Sequence, residues 1–475
     1  MMTSASKIRT KLVNREKEVR LIAERLEVLS RNEPLLDPVL FFYGVPRVGK
    51  TRLLEECRLM ASSRGMPTAF VDFDKEYTQR RYEDESGKTQ LAFDLMQALV
   101  ESADAPAGNP IFLEKDNSLV AAEKLQDYIR WLQGFLKKPI ALLFDTLEES
   151  PGPTFSWLQD ELLAPLLDTS RILVGMAGWA GYRESKAEFH WPIVRRMFSH
   201  HLRPFTEEET RQHLDSMDSS HRWSSHPRVF DFTGGLPGLN EEAVSTSANN
   251  ITELLKHIVD VIFKRAGKKE LQPLERDLLS ALSVLRKFDT LLLMHITDSL
   301  WPDEYKNIDR PRAREILKSL RDTSFLEIHP NSYGYVIPHD LRRVLNAEQR
   351  ERDTKRHFKV HCLAARWFRE QVKEGDVVDV ADELYHLAGA WKDTTEYRDM
   401  ELTIPSDLFE GNNKKTQLTK RLKQALEIAK TQKRPDELRE KIRIVLKSDE
   451  FHWVLDDSEI KNLAEQCDDF LGEAV

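Results

Sequence analysis

The chain reads as an α/β protein built on a parallel sheet, followed by a helical domain, a winged helix and an all-α C-terminal region. Three observations carry that reading. Over residues 1–200, short apolar runs alternate with stretches of helical periodicity, the pattern of strands joined by covering helices. The first run leads straight into Gly44-Val45-Pro46-Arg47-Val48-Gly49-Lys50-Thr51, which fits the phosphate-binding loop pattern G-x-x-x-x-G-K-[ST] at every fixed position. From Leu271 the texture changes to three helices and a hairpin, and then to helices alone.

The phosphate loop has the right flanks. Val39-Leu40-Phe41-Phe42-Tyr43 is short and apolar enough for a buried strand, and Arg52 to Met60 has helical spacing. Strand, loop and helix N-terminus make an anion site, because backbone N–H groups and the positive helix end face the ligand. Gly44 and Gly49 let the backbone approach without a Cβ in the way. Lys50 is expected to reach the β- and γ-phosphates of ATP or ADP, and Thr51 to place its hydroxyl on Mg²⁺. Val48 and Arg52 belong to the same expected nucleotide-contacting stretch. The fold class is thus an α/β P-loop NTPase.

Composition sets the compartment and narrows the partners. Hydrophobic residues make up 40% of the 475 and charged residues 31%, ordinary for a helix-rich protein with a real core. The length suggests two to four domains. A net charge of −9 argues against a general polyanion binder, though not against a local basic patch. Cys57, Cys362 and Cys467 are far apart and form no C-x-x-C, which suits a reducing cytoplasm. No signal peptide opens the chain and no apolar run is long enough for a bilayer, so a cytoplasmic protein without membrane contact is expected.

The elements follow in order. Val19 to Leu29 is amphipathic, and the preceding Arg15-Glu16 is either surface charge or an entry segment lying over a nucleotide base. Pro67 to Asp74 is the next strand, Asp74 to Lys88 a charged connection, and Gln90 to Val100 and Ser118 to Lys137 are helices. Pro139-Ile140-Ala141-Leu142-Leu143-Phe144-Asp145 is a strand ending in a carboxylate, which either holds Mg²⁺ or merely caps the next helix. With the loop upstream, the metal role is preferred. Glu148 or Glu149 is placed to orient an attacking water. Ser156 to Leu166 is a helix and Arg171 to Gly178 a strand. Thr206-Glu207-Glu208-Glu209 is a capping box opening a helix through Met217. His200 and His201 are no metal pair, since adjacent side chains diverge on either a strand or a helix. Phe232 to Asn240, with Pro237 inside it, reads as a turn. Ile251 to Arg265 is a long amphipathic helix. Leu274 to Leu285, Thr290 to Ile296 and Arg312 to Leu320, then a hairpin from Phe325 to Ile337 turning at Pro330-Asn331-Ser332, describe a winged helix. The remainder is helical, and its basic stretch Lys414 to Arg434 reads as a solvated face before it reads as a nucleic-acid patch. The expected domains are 1–200 P-loop NTPase, 201–267 helical, 268–346 winged helix and 347–475 α-helical.

Six stretches arrive in a telling order: Asn14-Arg15-Glu16, the phosphate loop, Phe144-Asp145-Thr146-Leu147-Glu148, Leu202-Arg203-Pro204-Phe205, Gly235-Leu236-Pro237 and His339-Asp340. Together they resemble the STAND class of signal-transduction ATPases, relatives of the NB-ARC and NACHT switch proteins. The resemblance spans residues 10–350. It implies a switch that is closed with ADP and that, with ATP, opens, self-associates through its ATPase module and activates an effector. It implies that Pro237 packs on the adenine and that His339 reads the β-phosphate of ADP. It assigns Lys50, Asp145 and Glu148 to catalysis, Thr51 and Asp145 to Mg²⁺, and Arg15, Gly44, Val48, Gly49, Lys50, Thr51, Arg52, Pro237 and His339 to the nucleotide. Bacterial members serve in defence or transcription control.

The departures bear on hydrolysis. Asn14 stands where the class has Gly. Trp179 follows Ala177-Gly178 where the class has a γ-phosphate-sensing arginine, with Arg183 as the candidate replacement. Thr146 replaces a second acid, and Leu147 an aromatic. A slow ATPase, acting as a timer, is the expectation. No effector motif is legible, so either the helical tail from about residue 347 acts as a sensor or partner-binding region, or a separate effector or sensor chain is the partner. Two readings compete: an origin-recognition-type winged-helix ATPase that binds DNA, and a scaffold that binds nucleotide for stability alone.

Overall fold

The computed structural model describes residues 12–73, 82, 85–103, 118–169, 171–179, 189–217, 221–264, 271–301, 303, 308–322, 325–329, 334–374, 379–409, 414–430, 435–446, 448, 451 and 461. The chain divides into two compact units, Met1–Ser247 with Asp260–Glu270, and Ala248–Val259 with Leu271–Val475.

The first unit is a parallel five-stranded sheet. Its strands are β1 (Val39–Tyr43), β2 (Thr68–Asp72), β3 (Ile140–Asp145), β4 (Ile172–Gly178) and β5 (Met197–His201), in the order β2-β3-β4-β1-β5. β1, β3 and β4 are buried along their whole length, which is why they read as unbroken apolar runs and not as alternations. Side chains still alternate between faces. Val39, Phe41, Leu142, Phe144, Val174 and Met176 pack with Leu95, Leu99, Leu125 and Leu132 from helices Glu85–Ala103 and Ser118–Leu136. On the other face, Gly175 admits helix Lys50–Ser63: a Cβ there would lie 2.6 Å from Leu143 Cδ2 and 3.1 Å from Leu54 Cδ2.

Three local features differ from the sequence expectation. β5 is a fifth strand, on the sheet edge beside β1. Its residues are only partly covered, so it carries no apolar run to read. The helix expected over Ser156 to Leu166 extends from Gly152 to Thr169 and contains a π-helical segment, Leu158–Leu163. Pro165 supplies the cause: it has no N–H to give the Glu161 carbonyl, and the Gln126 side chain donates to that carbonyl instead. Pro237 does not sit in a turn. It is the first residue of helix Pro237–Ser245, where a missing N–H costs nothing.

The second unit opens with helices Pro273–Leu282, Thr290–Leu300 and Arg310–Asp322, then the antiparallel pair β6 (Glu327–Ile328) and β7 (Tyr335–Val336). Asp289 caps the second helix, accepting from the Leu291 and Leu292 amides at 3.0 and 2.8 Å. Phe288 bridges to Tyr335, which widens the hairpin. This is the winged-helix order of elements; the residues expected to turn the hairpin, Pro330 to Ser332, lie outside the described ones. Helices His339–Arg352, Thr354–Glu374, Val380–Glu396, Lys414–Lys430 and Pro435–Leu446 follow. Their core includes Leu384, Leu387, Leu418, Leu422 and Ile442. Glu383, fully buried in it, is held by Arg369 at 2.7 Å and Arg421 at 2.9 Å. Arg421 thus gives part of the basic stretch from Lys414 a structural role. No described helix is long and apolar enough to cross a membrane.

The sheet core sets the stability of the first unit. Leu142→Ala, at a fully buried site in β3, is expected to cost about 2–5 kcal/mol, whereas the exposed Leu36→Ala should stay within about 0.5 kcal/mol. Denaturant titration of both checks the assignment, and equal midpoints would refute it.

Candidate phosphate-loop site

The loop between β1 and helix Lys50–Ser63 lies at the carboxyl edge of the sheet, where β1 is flanked by β4 and β5. Gly44 is required by close approach: a Cβ there would meet the Leu202 carbonyl oxygen at 2.8 Å. Gly49 is required by conformation, since its φ of 102° lies in a region L side chains avoid. Lys50 is buried and donates from Nζ to the Gly44 and Val45 carbonyls at 2.7 and 3.0 Å. Burial pulls its ammonium below the usual lysine range, against the attraction of Glu148 and Asp145.

Acidic groups converge on that lysine. Asp145, at the end of β3, accepts the Thr146 amide on Oδ1 at 2.9 Å. Its Oδ2 is buried with no hydrogen-bond partner among the described residues. Burial pushes this carboxyl up to about 6, and Asp72 adds to the rise, while the Thr51 hydroxyl and the Lys50 ammonium pull the other way. Glu148 Oε2 is likewise buried and unpartnered, and burial pushes that carboxyl up to about 8, against the pull of Lys50. Gly178, ending β4 between the loop and β3, leaves room for it: a Cβ there would come 3.4 Å from Glu148 Oε2. Thr146 adopts a φ of 57°, costly for a β-branched residue, and its hydroxyl donates to Asp72 at 3.1 Å. That strain turns the chain sharply after Asp145, so that Asp145 and Glu148 converge.

Two further segments are tied to the loop. Arg15, buried, donates to the Val48 carbonyl at 2.9 Å and to the Arg203 carbonyl at 2.8 Å, and stacks 4.8 Å from the Phe205 ring centre. Arg203 is locked in turn by a two-pronged contact to Glu209, both bonds 2.6 Å, which holds the Glu209 carboxyl down at about 2. Glu209 also accepts the Thr206 amide at 2.7 Å, the capping box read from sequence. At the loop's tip, the Gly238 amide donates to the Arg47 carbonyl at 3.0 Å and the Arg47 side chain reaches Glu242 at 3.2 Å. Pro237 Cγ lies 4.0 Å from where a Gly49 Cβ would be.

No family model matches the chain, and no curated protein matches it. Among solved structures, it is similar to the Aeropyrum pernix ORC2 protein in its ADPNP–ADP complexes, at 16% identity over 74% of this chain and 97% of that one, with a TM-score of 0.42. Similar too are Cdc6p from Pyrobaculum aerophilum, at 14% identity over 74% and 97% with a TM-score of 0.38, and a STAND protein with a tetratricopeptide repeat sensor from Pyrococcus horikoshii, at 14% identity over 99% and 65% with a TM-score of 0.29. Likenesses at this level say nothing of ligand or activity.

Of the residues singled out from sequence, Arg15, Gly44, Val48, Gly49, Lys50, Thr51, Asp145, Glu148 and Pro237 come together at one sheet edge. Arg52 is turned toward Glu55 and Glu56 of its own helix, at 3.6 and 3.8 Å. His339 belongs to the second unit, where it is exposed on the first turn of helix His339–Arg352, with Asp340 at 3.4 Å. Trp179 is buried, and Arg183 lies outside the described residues. His200 and His201 diverge, one toward Glu18 at 3.3 Å and the other stacked on Tyr43. Sequence reasoning gave Asp72 no role. It sits in register with Asp145 on the neighbouring strand, and its signal was there: a second apolar strand ending in a carboxylate.

Gly235 has a φ of 72°, and a Cβ there would fall 2.1 Å from the Phe205 carbonyl oxygen. Gly235→Ala is therefore expected to destabilise the first unit by on the order of 2–3 kcal/mol, and a denaturation midpoint equal to that of the unsubstituted chain would refute the packing argument. A second expectation concerns pH. The Asp145 carboxyl titrates at about 6 in the fold against an ordinary 3.8. Proton binding therefore favours the fold, a contribution complete below pH 3.8 and lost as the pH rises through about 6. In nucleotide-free, chelator-treated protein, Asp145→Asn should match the unsubstituted chain at low pH. At neutral pH it should exceed it by up to ~3 kcal/mol. Melting curves across that range check this, and a pH-independent difference would remove the carboxyl from the argument.

Proposed function

We propose that the chain is an ATP/ADP-operated signalling switch of the STAND class. It is closed with ADP and, with ATP, self-associates through its ATPase module to engage an effector on another chain. One observation supports this most: the phosphate loop is tied to Arg15 at Val48 and to helix Pro237–Ser245 at Arg47. A ligand shifts a conformational equilibrium only through contacts that differ between the states. A loop bonded to two segments outside its own strand and helix can convert phosphate occupancy into movement of both. An enzyme that merely turned over ATP would need neither tie.

The side chains suit the ligand. Lys50, now bonded to two loop carbonyls, would exchange them for the β- and γ-phosphate oxygens. Thr51 and Asp145 would hold Mg²⁺ directly or through water, and the unpartnered Asp145 Oδ2 fits a hard cation. Bound there, Mg²⁺ supplies positive charge against the phosphates. Glu148, kept near neutrality by burial, would orient water once a cation lowers its proton affinity. Val48 and Gly49 supply backbone to the phosphates, Arg52 lies behind the loop, Pro237 meets the adenine and His339 reads the β-phosphate. Hydrolysis in this reading is slow, since Trp179 cannot sense a γ-phosphate. The four domains at 1–200, 201–267, 268–346 and 347–475 are its working parts, in a cytoplasmic protein.

A second reading, DNA binding by the winged helix, draws on helix Arg310–Asp322, which exposes Arg310, Arg312, Arg314, Lys318 and Arg321. Duplex affinity falling steeply with salt would favour it; the absence of such binding would favour the switch.

The switch is tested by denaturing protein purified without added nucleotide and chromatographing the material released. Stoichiometric ADP is expected, and an empty site with weak affinity for both nucleotides would overturn the closed state. Lys50→Ala should weaken both nucleotides about 10–100-fold and abolish ATP-dependent assembly. His339→Ala should loosen ADP preferentially, and equal losses for ADP and ATP would remove its role as a sensor.

A further inference from the structure

The second unit contains a buried histidine cluster that nothing in the nucleotide reading uses. His357 and His361 lie one turn apart on helix Thr354–Glu374, so they share a face. His386 and Asp393, on helix Val380–Glu396, meet them from the facing helix. All four are buried. His357, His361 and Asp393 each offer a ligand atom within 4.8 Å of the others, and His386 Nδ1 lies 3.0 Å from His361 Nδ1.

Hydrogen bonding explains half of this cluster. His357 Nδ1 meets Asp393 at 2.6 Å and its Nε2 meets Asn346 at 2.8 Å, while Arg350 Nε donates to Asp393 at 3.0 Å. The other half is unexplained. His361 Nε2 and His386 Nε2 are buried with no partner among the described residues. If the two rings share one hydrogen bond through Nδ1, one must present the proton and the other the lone pair. The acceptor ring then carries its remaining proton on an Nε2 with nothing to receive it, and the donor ring buries a bare Nε2. Both are costly groups to leave unsatisfied away from water. The rings are nonetheless brought close by the backbone itself. Gly389 has no Cβ, and one there would strike His361 Cε1 at 2.2 Å.

We propose that His357, His361 and Asp393 form a site for one divalent transition-metal ion of the zinc class, with His386 holding the His361 ring through its Nδ1. Two imidazoles and a carboxylate, with a fourth position left open, are a donor set such ions take. With Nδ1 turned to His386, His361 would give the ion the lone pair of its unpartnered Nε2, at about 2.0–2.1 Å. Burial also drives His361 and His386 far below the usual histidine range, which leaves uncharged rings with lone pairs to give. The ion would clamp the two helices that form the centre of the C-terminal core.

The test uses the full chain without a polyhistidine tag. The protein is stripped with chelator, given Zn²⁺, gel-filtered and assayed for metal by mass spectrometry. About one zinc per chain should be retained, with a raised melting temperature that chelator reverses. Asp145→Asn should retain it equally, which separates this site from the phosphate loop. His386→Phe keeps a ring beside Phe368, whose plane is tilted 8° from that of His386, and should lower zinc affinity at least ~10-fold. No retained zinc in the unsubstituted chain, or equal retention in folded His386→Phe, overturns the proposal. Should that variant not fold, Co²⁺ in the unsubstituted chain decides. Intense visible bands of a low-coordinate nitrogen site support it, and only the weak spectrum of six-coordinate cobalt overturns it.

Discussion

A lysine ammonium buried at the end of a parallel sheet constrains everything around it. Lys50 cannot remain in that position without anions or carbonyl oxygens close by, because an isolated buried charge is prohibitively costly. The chain answers with the Gly44 and Val45 carbonyls and with the carboxyls of Asp145 and Glu148, whose own proton affinities rise in consequence of burial. Neither carboxyl is satisfied, since each has an oxygen with no partner among the described residues. The result is a concentrated set of titratable groups held close together at the sheet edge. Such an arrangement suits a site whose partners arrive from outside, as a phosphate and a cation do.

Two segments from elsewhere in the first unit are bonded to the loop. Arg15 commits its guanidinium to backbone carbonyls from the phosphate loop and from the Leu202–Phe205 stretch, so the two cannot shift independently. Phe205 in turn accepts the close approach of Gly235, and helix Pro237–Ser245 reaches the loop's tip. His213 and Asn240 join helices Glu207–Met217 and Pro237–Ser245, with His213 pushed down to about 4 by burial and the nearby Arg15 charge.

The second unit solves a different problem with the same physics. Its helices bury Glu383, Asp393 and three histidines, and each buried charge is matched: Glu383 by two arginines, Asp393 by Arg350 and His357. His361 and His386 break the pattern, and it is that local failure of satisfaction, not any sequence motif, that marks them out.

The sequence by itself determined the first-unit strands β1 to β4, because β1, β3 and β4, buried along their whole length, demand unbroken apolar runs, and the edge strand β2 keeps a mostly buried one. It also determined the phosphate loop and the capping box, whose chemistry depends on local spacing. It placed Asp145 correctly at a strand end. What it could not supply were β5, whose partial cover leaves it no apolar run, and the helix beginning at Pro237, where the same residue serves a turn or a helix start equally well. Nor could it supply Asp72 beside Asp145, the π-helical segment that Gln126 completes, or the meeting of His361 with His386. Each of these depends on which distant segments face one another, and spacing along a chain carries no record of neighbours across a sheet or between two helices.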